Sequence, residues 1–137
     1  MSVFDPKSLS PFTVIRCPIS LGGVQTKKLF VVIAHKADRV LCLKATSKVD
    51  RYCADEKLLK GVLSYKVGQC PCFTLPTVID PDNQFEINHS DLIAHDNDGG
   101  LQITGHLPSS AKRKLIEAIK HSFTMDSRQQ EQLIALL

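Results

Sequence analysis

Lys44, Thr46 and Ser47 close one apolar run, and Lys28 opens the run before it. On an extended chain, side chains two residues apart leave the same face, so Lys44 and Thr46 point together. A fixed cation beside hydroxyl donors is suited to holding or stabilising negative charge. Lys27, Lys48 and Arg51 stand close by in the chain and extend the cationic set. A strand that merely ends in a polar turn would use the same residue types, so position has to separate the two readings. Five histidines, His35, His89, His95, His106 and His121, could serve as acids or bases near neutrality. His106 is the best placed of them, at the end of an alternating run and on its polar side. His121 lies near the end of a helical pattern, where a cation suits the dipole and needs no further role.

Other chemistries find no support. There is no Gly-x-Ser-x-Gly elbow, no His-Glu-x-x-His helix and no dinucleotide fingerprint. Gly22-Gly23 lacks the following helix and lysine of a P-loop. Asp80, Asp82 and Asn83 resemble the start of a calcium loop without its glycine and closing glutamate. Cys70-Pro71-Cys72 places two ligands one residue apart, short of the usual spacing in structural zinc sites. Buried or idle thiols are therefore expected, with no metal and no cofactor. The cysteine count is odd and the N-terminus lacks the basic-then-apolar pattern of a secretory signal. Both point to a reducing, cytoplasmic setting without disulfides. The net charge of +3 permits an anionic partner without demanding one. No apolar run nears the ~20 residues of a membrane span.

The elements that would position the charged set read as follows. Lys27 to Lys48, KKLFVVIAHKADRVLCLKATSK, holds two strand-length apolar runs split by Lys36-Ala37-Asp38. So short a break suits an antiparallel hairpin. In its second strand Leu41, Leu43 and Ala45 should face the core, with Val40, Cys42, Lys44 and Thr46 on the other side. Residues 1–11 read as an irregular arm. Phe12 to Cys17 is a strand closed by Pro18, and Leu21-Gly22-Gly23-Val24 a turn. Lys48 to Lys60 is a charged excursion with one helical turn near Asp55 to Leu59. Gly61 to Val67 alternates as a strand, and Cys72 to Ile79 is a further, edge-type strand because of Pro76. Asp80-Pro81-Asp82-Asn83 signals a turn. Asn88 to Asp91 caps a helix ending near His95, and Asn97-Asp98-Gly99-Gly100 turns the chain. Leu101 to Leu107 alternates as a half-buried strand. A helix over 110–122 buries Leu115, Ile116, Ile119 and Phe123, and Asp126 with Gln129 boxes the start of a last helix. The sum is one domain over 1–137, mainly β: a small antiparallel barrel-like sheet over 12–107 and C-terminal helices over 108–137.

Lys28 to Ala34, a turn, and a strand ending Lys44-Ala45-Thr46-Ser47 resemble the centre of the PemK/MazF-like toxin family. That pattern has an Arg-Pro lead into a strand like ALVIS, then a strand ending Thr-Ser. Here Lys27-Lys28-Leu29 stands in place of arginine and proline. The outline extends over 12–123, with about twenty residues matching in detail. The resemblance implies an SH3-like barrel with terminal helices, and metal-independent endoribonuclease activity through the RNA 2′-hydroxyl. It also implies an antitoxin partner, and allows a homodimer. Lys28, Lys44, Thr46, Ser47 and His106 would then be catalytic, while Lys27, Lys48 and Arg51 would hold RNA. The alternative is a non-catalytic SH3-like barrel that binds a protein or nucleic acid. The missing arginine, the mild charge and the scarcity of aromatics for stacking bases favour it.

Overall fold

β-Branched and aromatic runs make six strands in the described residues of the computed structural model, which are 4–21, 24–122 and 124–137. They are β1 (Thr13–Leu21), β2 (Val24–Lys36), β3 (Arg39–Thr46), β4 (Leu63–Tyr65), β5 (Thr77–Asn88) and β6 (Gln102–His106). All pair antiparallel in one sheet ordered β4-β5-β3-β2-β1-β6, which curls into a half-barrel. Helices follow or interrupt them: α1 (Asp50–Cys53), α2 (Glu56–Lys60), α3 (His89–Asn97), α4 (Ala111–Lys120) and α5 (Ser127–Leu136). No helix among the described residues is long and apolar enough to cross a membrane.

The central hairpin is β2 and β3, joined at Ala37, which takes a positive φ of 52°. Leu41, Leu43 and Ala45 enter the larger core, as their alternation predicts. The opposite face departs from expectation. Val40 and Cys42 are fully buried there in a second core with Ile15, Phe30, Val32 and Leu92. Helix α3 and the N-terminal arm, through Leu9, cover that face. Only at its Lys44–Thr46 end does it open toward solvent.

Several predicted boundaries move for identifiable reasons. β1 runs on through Pro18, which sits past the stretch paired with β6 and so forfeits no bond to that strand. The glycines of the turn expected at 21–24 lie outside the described residues; Leu21 and Val24 on either side are paired. Asp80-Pro81-Asp82-Asn83 does not end a strand. The register steps from Ala45↔Ile79 to Leu43↔Gln84, so these four residues bulge out opposite Lys44. Asp80 Oδ1 accepts the Asp82 N–H at 2.9 Å inside that bulge. Turn chemistry is present but is absorbed within β5. The alternating stretch at 61–67 pairs only over Leu63–Tyr65, and the extended run begins at Thr77 rather than Cys72.

β6 is an edge strand and not half-buried: Ile103 is 58 % exposed, and only the following Leu107 reaches the core. A register shift between Val14 and Ile15 breaks its alternation at Gly105. Gly105 has φ +150°, and a Cβ there would lie 2.8 Å from Cys72 Sγ. Gly105→Ala should therefore destabilise the protein by about 1–3 kcal/mol. Adding Cys72→Ala should recover the steric part and leave the backbone part, which denaturant titration of both variants measures.

Helix α4 buries Ala111, Leu115, Ala118 and Ile119. Ile116 lies half-buried at the margin of that stripe, and Phe123 falls outside the described residues. The capping box at α5 forms as expected: Asp126 Oδ1 accepts the Gln129 N–H at 2.8 Å, and Gln129 Oε1 accepts the Asp126 N–H at 2.9 Å. The charged excursion folds as α1 and α2, anchored by buried Tyr52 against Val62 and Val78.

Candidate functional site

The open end of the hairpin carries the charged set. Leu29 pairs with Ala45, and continuing that register sets Lys28 across from Thr46. Lys44 lies opposite Phe30, one rung in. The β5 bulge leaves Lys44 without a rung partner on that side. Parity puts Lys28, Lys44 and Thr46 on one face. β1 adds to the same end: Arg16 pairs with Leu29, and Pro18 with Lys27. These residues and the segment 72–77 line a cleft of about 260 Å³. Arg16, Lys27, Lys28, Lys44 and Lys48 border it, with Thr46 and Ser47 beside them, and no carboxylate among the described residues does.

This crowding of cations adds to the effect of burial on Lys44. Partial burial, then Lys28 and Lys48, push the Lys44 ammonium below the ordinary lysine value. The native state thus holds this proton less tightly than the unfolded chain does. Lys44 consequently costs stability at neutral pH, and the cost fades as pH rises through its lowered pKa. Lys28→Gln should raise the Lys44 pKa, because one repelling charge is gone. NMR titration of the Lys44 ε-methylene reads that shift directly.

The hydroxyls are held locally. Thr46 Oγ1 accepts the Lys48 N–H at 3.1 Å, which fixes its rotamer and leaves its own proton to donate. The Ser47 carbonyl accepts the Val49 N–H at 3.0 Å in the turn that follows, and its side chain stands exposed at the rim. On the far wall Cys72 donates to the His106 carbonyl at 3.5 Å. Burial and neighbouring Cys70 push the Cys72 thiol up to about 11, so it stands there as a neutral thiol and not as a nucleophile. All five cysteines are free.

Two expected site residues are elsewhere. His106 is not among the residues that line the cleft. Its ring lies between the Leu107 carbonyl, 2.9 Å from Nδ1, and the Pro11 carbonyl, 2.9 Å from Nε2, so whichever nitrogen carries the proton donates to backbone. Arg51 lies over the Tyr52 ring at 5.6 Å and borders a separate hollow beside Asp80 and Asp82. α1 carries it outward, away from the hairpin end. Lys27, Lys28, Lys44, Thr46, Ser47 and Lys48 do converge.

Arg16 was the residue to find. The register of the β1–β2 hairpin sets it across from Leu29, on the face opposite Lys28, Lys44 and Thr46, at the edge of the same cleft. No family model matches the chain, and no curated protein does. The chemistry of the cleft therefore has to carry the reading alone.

A larger groove, about 580 Å³, lies between α4 and β4. Its charged residues, Lys60, Arg113, Lys114 and Glu117, are all exposed and of both signs. The smaller cleft combines cations of one sign with partly buried donors, so it is the stronger candidate for chemistry on an anion.

Proposed function

We propose that this chain is a PemK/MazF-like toxin on an SH3-like barrel, a metal-independent endoribonuclease that takes the RNA backbone into the cleft at the Lys28–Thr46 end of the hairpin. One observation carries the reading: Lys28, Lys44 and Thr46 share one face at the hairpin end, Arg16 borders the same cleft from the other face, and no carboxylate among the described residues lines it. In the reaction the 2′-hydroxyl gives its proton to a solvent hydroxide or water, its oxygen attacks phosphorus and the bond to the 5′-oxygen breaks, leaving a 2′,3′-cyclic phosphate and a 5′-oxygen that takes up a proton. The extra charge on the phosphorane falls on its non-bridging oxygens. Arg16, which leaves the opposite face at the same strand end, can hold a neighbouring phosphate with its planar fork. Lys28 supplies point charge, and Thr46 and Ser47 donate hydrogen bonds. Lys44, its pKa lowered, is a stronger acid than an ordinary lysine and gives its proton to the leaving 5′-oxygen. Lys27 and Lys48 hold the flanking phosphates. The cytoplasm, an antitoxin partner and a homodimer belong to the same reading.

A second reading, a barrel that binds RNA or another polyanion without cutting it, is favoured by one fact: no histidine or carboxylate among the described residues lines the cleft to act as base. Incubating purified protein with RNA in EDTA decides between them. Cyclic-phosphate and 5′-hydroxyl ends on the fragments, with growth arrest on expression that Thr46→Ala relieves, support the nuclease. RNA retained on a native gel but left intact supports the binding module.

A further inference from the structure

We propose that His35 and His89 form a two-imidazole site for a zinc ion at the turn end of the β2–β3 hairpin, away from the cleft. His35 Nδ1 and His89 Nε2 stand 3.4 Å apart, with ring centroids 5.5 Å apart and the planes at 67°. His35 Nε2 lies 2.7 Å from the Leu9 carbonyl. A carbonyl only accepts, so the His35 proton sits on Nε2 and Nδ1 presents a lone pair. A histidine whose second nitrogen donates to a backbone carbonyl is the usual state of a metal ligand, because that bond fixes tautomer and ring orientation.

The separation is compatible with a tetrahedral ion. At 3.4 Å the pair makes a long N–H···N hydrogen bond, beyond the usual range of about 2.7–3.2 Å, which an ion would replace. Two nitrogens each about 2.0–2.1 Å from a tetrahedral centre lie about 3.3–3.4 Å apart. Ligands at right angles, as on square-planar or octahedral ions, would need about 2.9 Å. Tetrahedral zinc fits best. His89 carries its own proton on Nδ1 when its Nε2 ligates, a tautomer exchange that needs no net proton release.

Both ligands are held by the fold. His35 is the penultimate residue of β2, and His89 opens α3 with its N–H bonded to the Asp38 carbonyl at 2.7 Å. Leu9 is buried in the second core, which anchors the carbonyl. The neighbouring cations Lys36 and Arg39 are paired with Glu86 at 3.3 and 2.8 Å, which offsets their charge. No third His, Cys, Asp or Glu joins the two among the described residues. Water completes the shell, and the ion ties the arm, the hairpin and α3 together.

Chelator-stripped full-length protein is titrated with zinc at neutral pH by calorimetry, and with cobalt(II) as an optical probe. The expected result is one ion per chain, a cobalt spectrum of four-coordinate intensity without sulfur charge transfer, and an unfolding midpoint that rises with zinc concentration. His35→Gln and His89→Gln should each abolish these effects, while Cys53→Ser, which removes the exposed thiol, leaves them intact. Circular dichroism checks that the surface histidine variants stay folded. Absence of uptake at millimolar zinc, binding that survives both histidine variants, or a sulfur charge-transfer band would overturn the proposal. Nuclease activity in EDTA is unaffected either way, so this test stands apart from that of the cleft.

Discussion

Thr46→Ala and Lys44→Ala should each lower RNA cleavage in EDTA by about 10²–10³-fold, the usual effect of removing one donor aimed at developing charge. Arg16→Ala should lose less, because its side chain leaves the opposite face of the sheet and meets the RNA backbone only at the strand end. The loss should fall on kcat more than on KM, since charge on the phosphorane exceeds charge on the bound phosphodiester. Lys48→Ala, at the rim, should chiefly weaken binding and reduce its salt dependence. None of these side chains is part of either core, so thermal unfolding should stay close to wild type. Lys44→Ala should even gain slightly in stability at neutral pH, because the repulsion from Lys28 and Lys48 is relieved. Equal activity in Thr46→Ala, Arg16→Ala and wild type would place the chemistry outside this cleft. His106→Ala is the internal contrast: with its ring between two backbone carbonyls, it should affect stability and leave cleavage largely intact.

The readable parts of this chain are those where one local signal decides the outcome. The β2–β3 hairpin follows from two apolar runs and a three-residue polar break, and the capping box at Asp126 from two residues three apart. Lys28 and Thr46 could be brought together on hairpin geometry alone. The misplacements share a different cause, which is tertiary cover. Val40 and Cys42 belong to an alternating strand with one polar end, so the pattern suggested one wet face. α3, nearly fifty residues further on, buries that face. Asp80-Pro81-Asp82-Asn83 carries strong turn chemistry, yet β3 continues past it and converts the turn into a bulge. Arg16 carries no local signal, because its place beside the cleft depends on a register between two strands, not on its neighbours in the chain. His106 sits on the strand face that alternation assigns to polar residues. The arm at Pro11 and the backbone at Leu107 then take up its ring.

Ile119→Asp should cost several kcal/mol, on the order of 4 or more, and lower the unfolding midpoint by more than 10 °C or prevent folding. Ile119 is fully buried in the larger core, in the same cluster as Leu63, Ile79 and Leu115. The substitution removes apolar burial of about 1.5–3 kcal/mol and sets a carboxyl among side chains that offer it no partner. The geometry of the stripe makes a sharper statement than the loss alone. Ile116, three residues earlier and half-buried, was expected in the stripe from spacing, but Ala118 takes its place. Ile116→Ala should therefore cost well under the 2–5 kcal/mol that Ile119→Ala costs. Because both alanine variants should still fold, denaturant titration of the pair keeps the comparison open even if Ile119→Asp yields no soluble protein. Equal costs for the two would mean that α4 is rotated by about one residue, which would carry Lys114 away from the Tyr65 ring it now overlies at 5.9 Å. A small cost at both positions would mean that α4 does not close the half-barrel, and the core beneath β4 and β5 would need another cover.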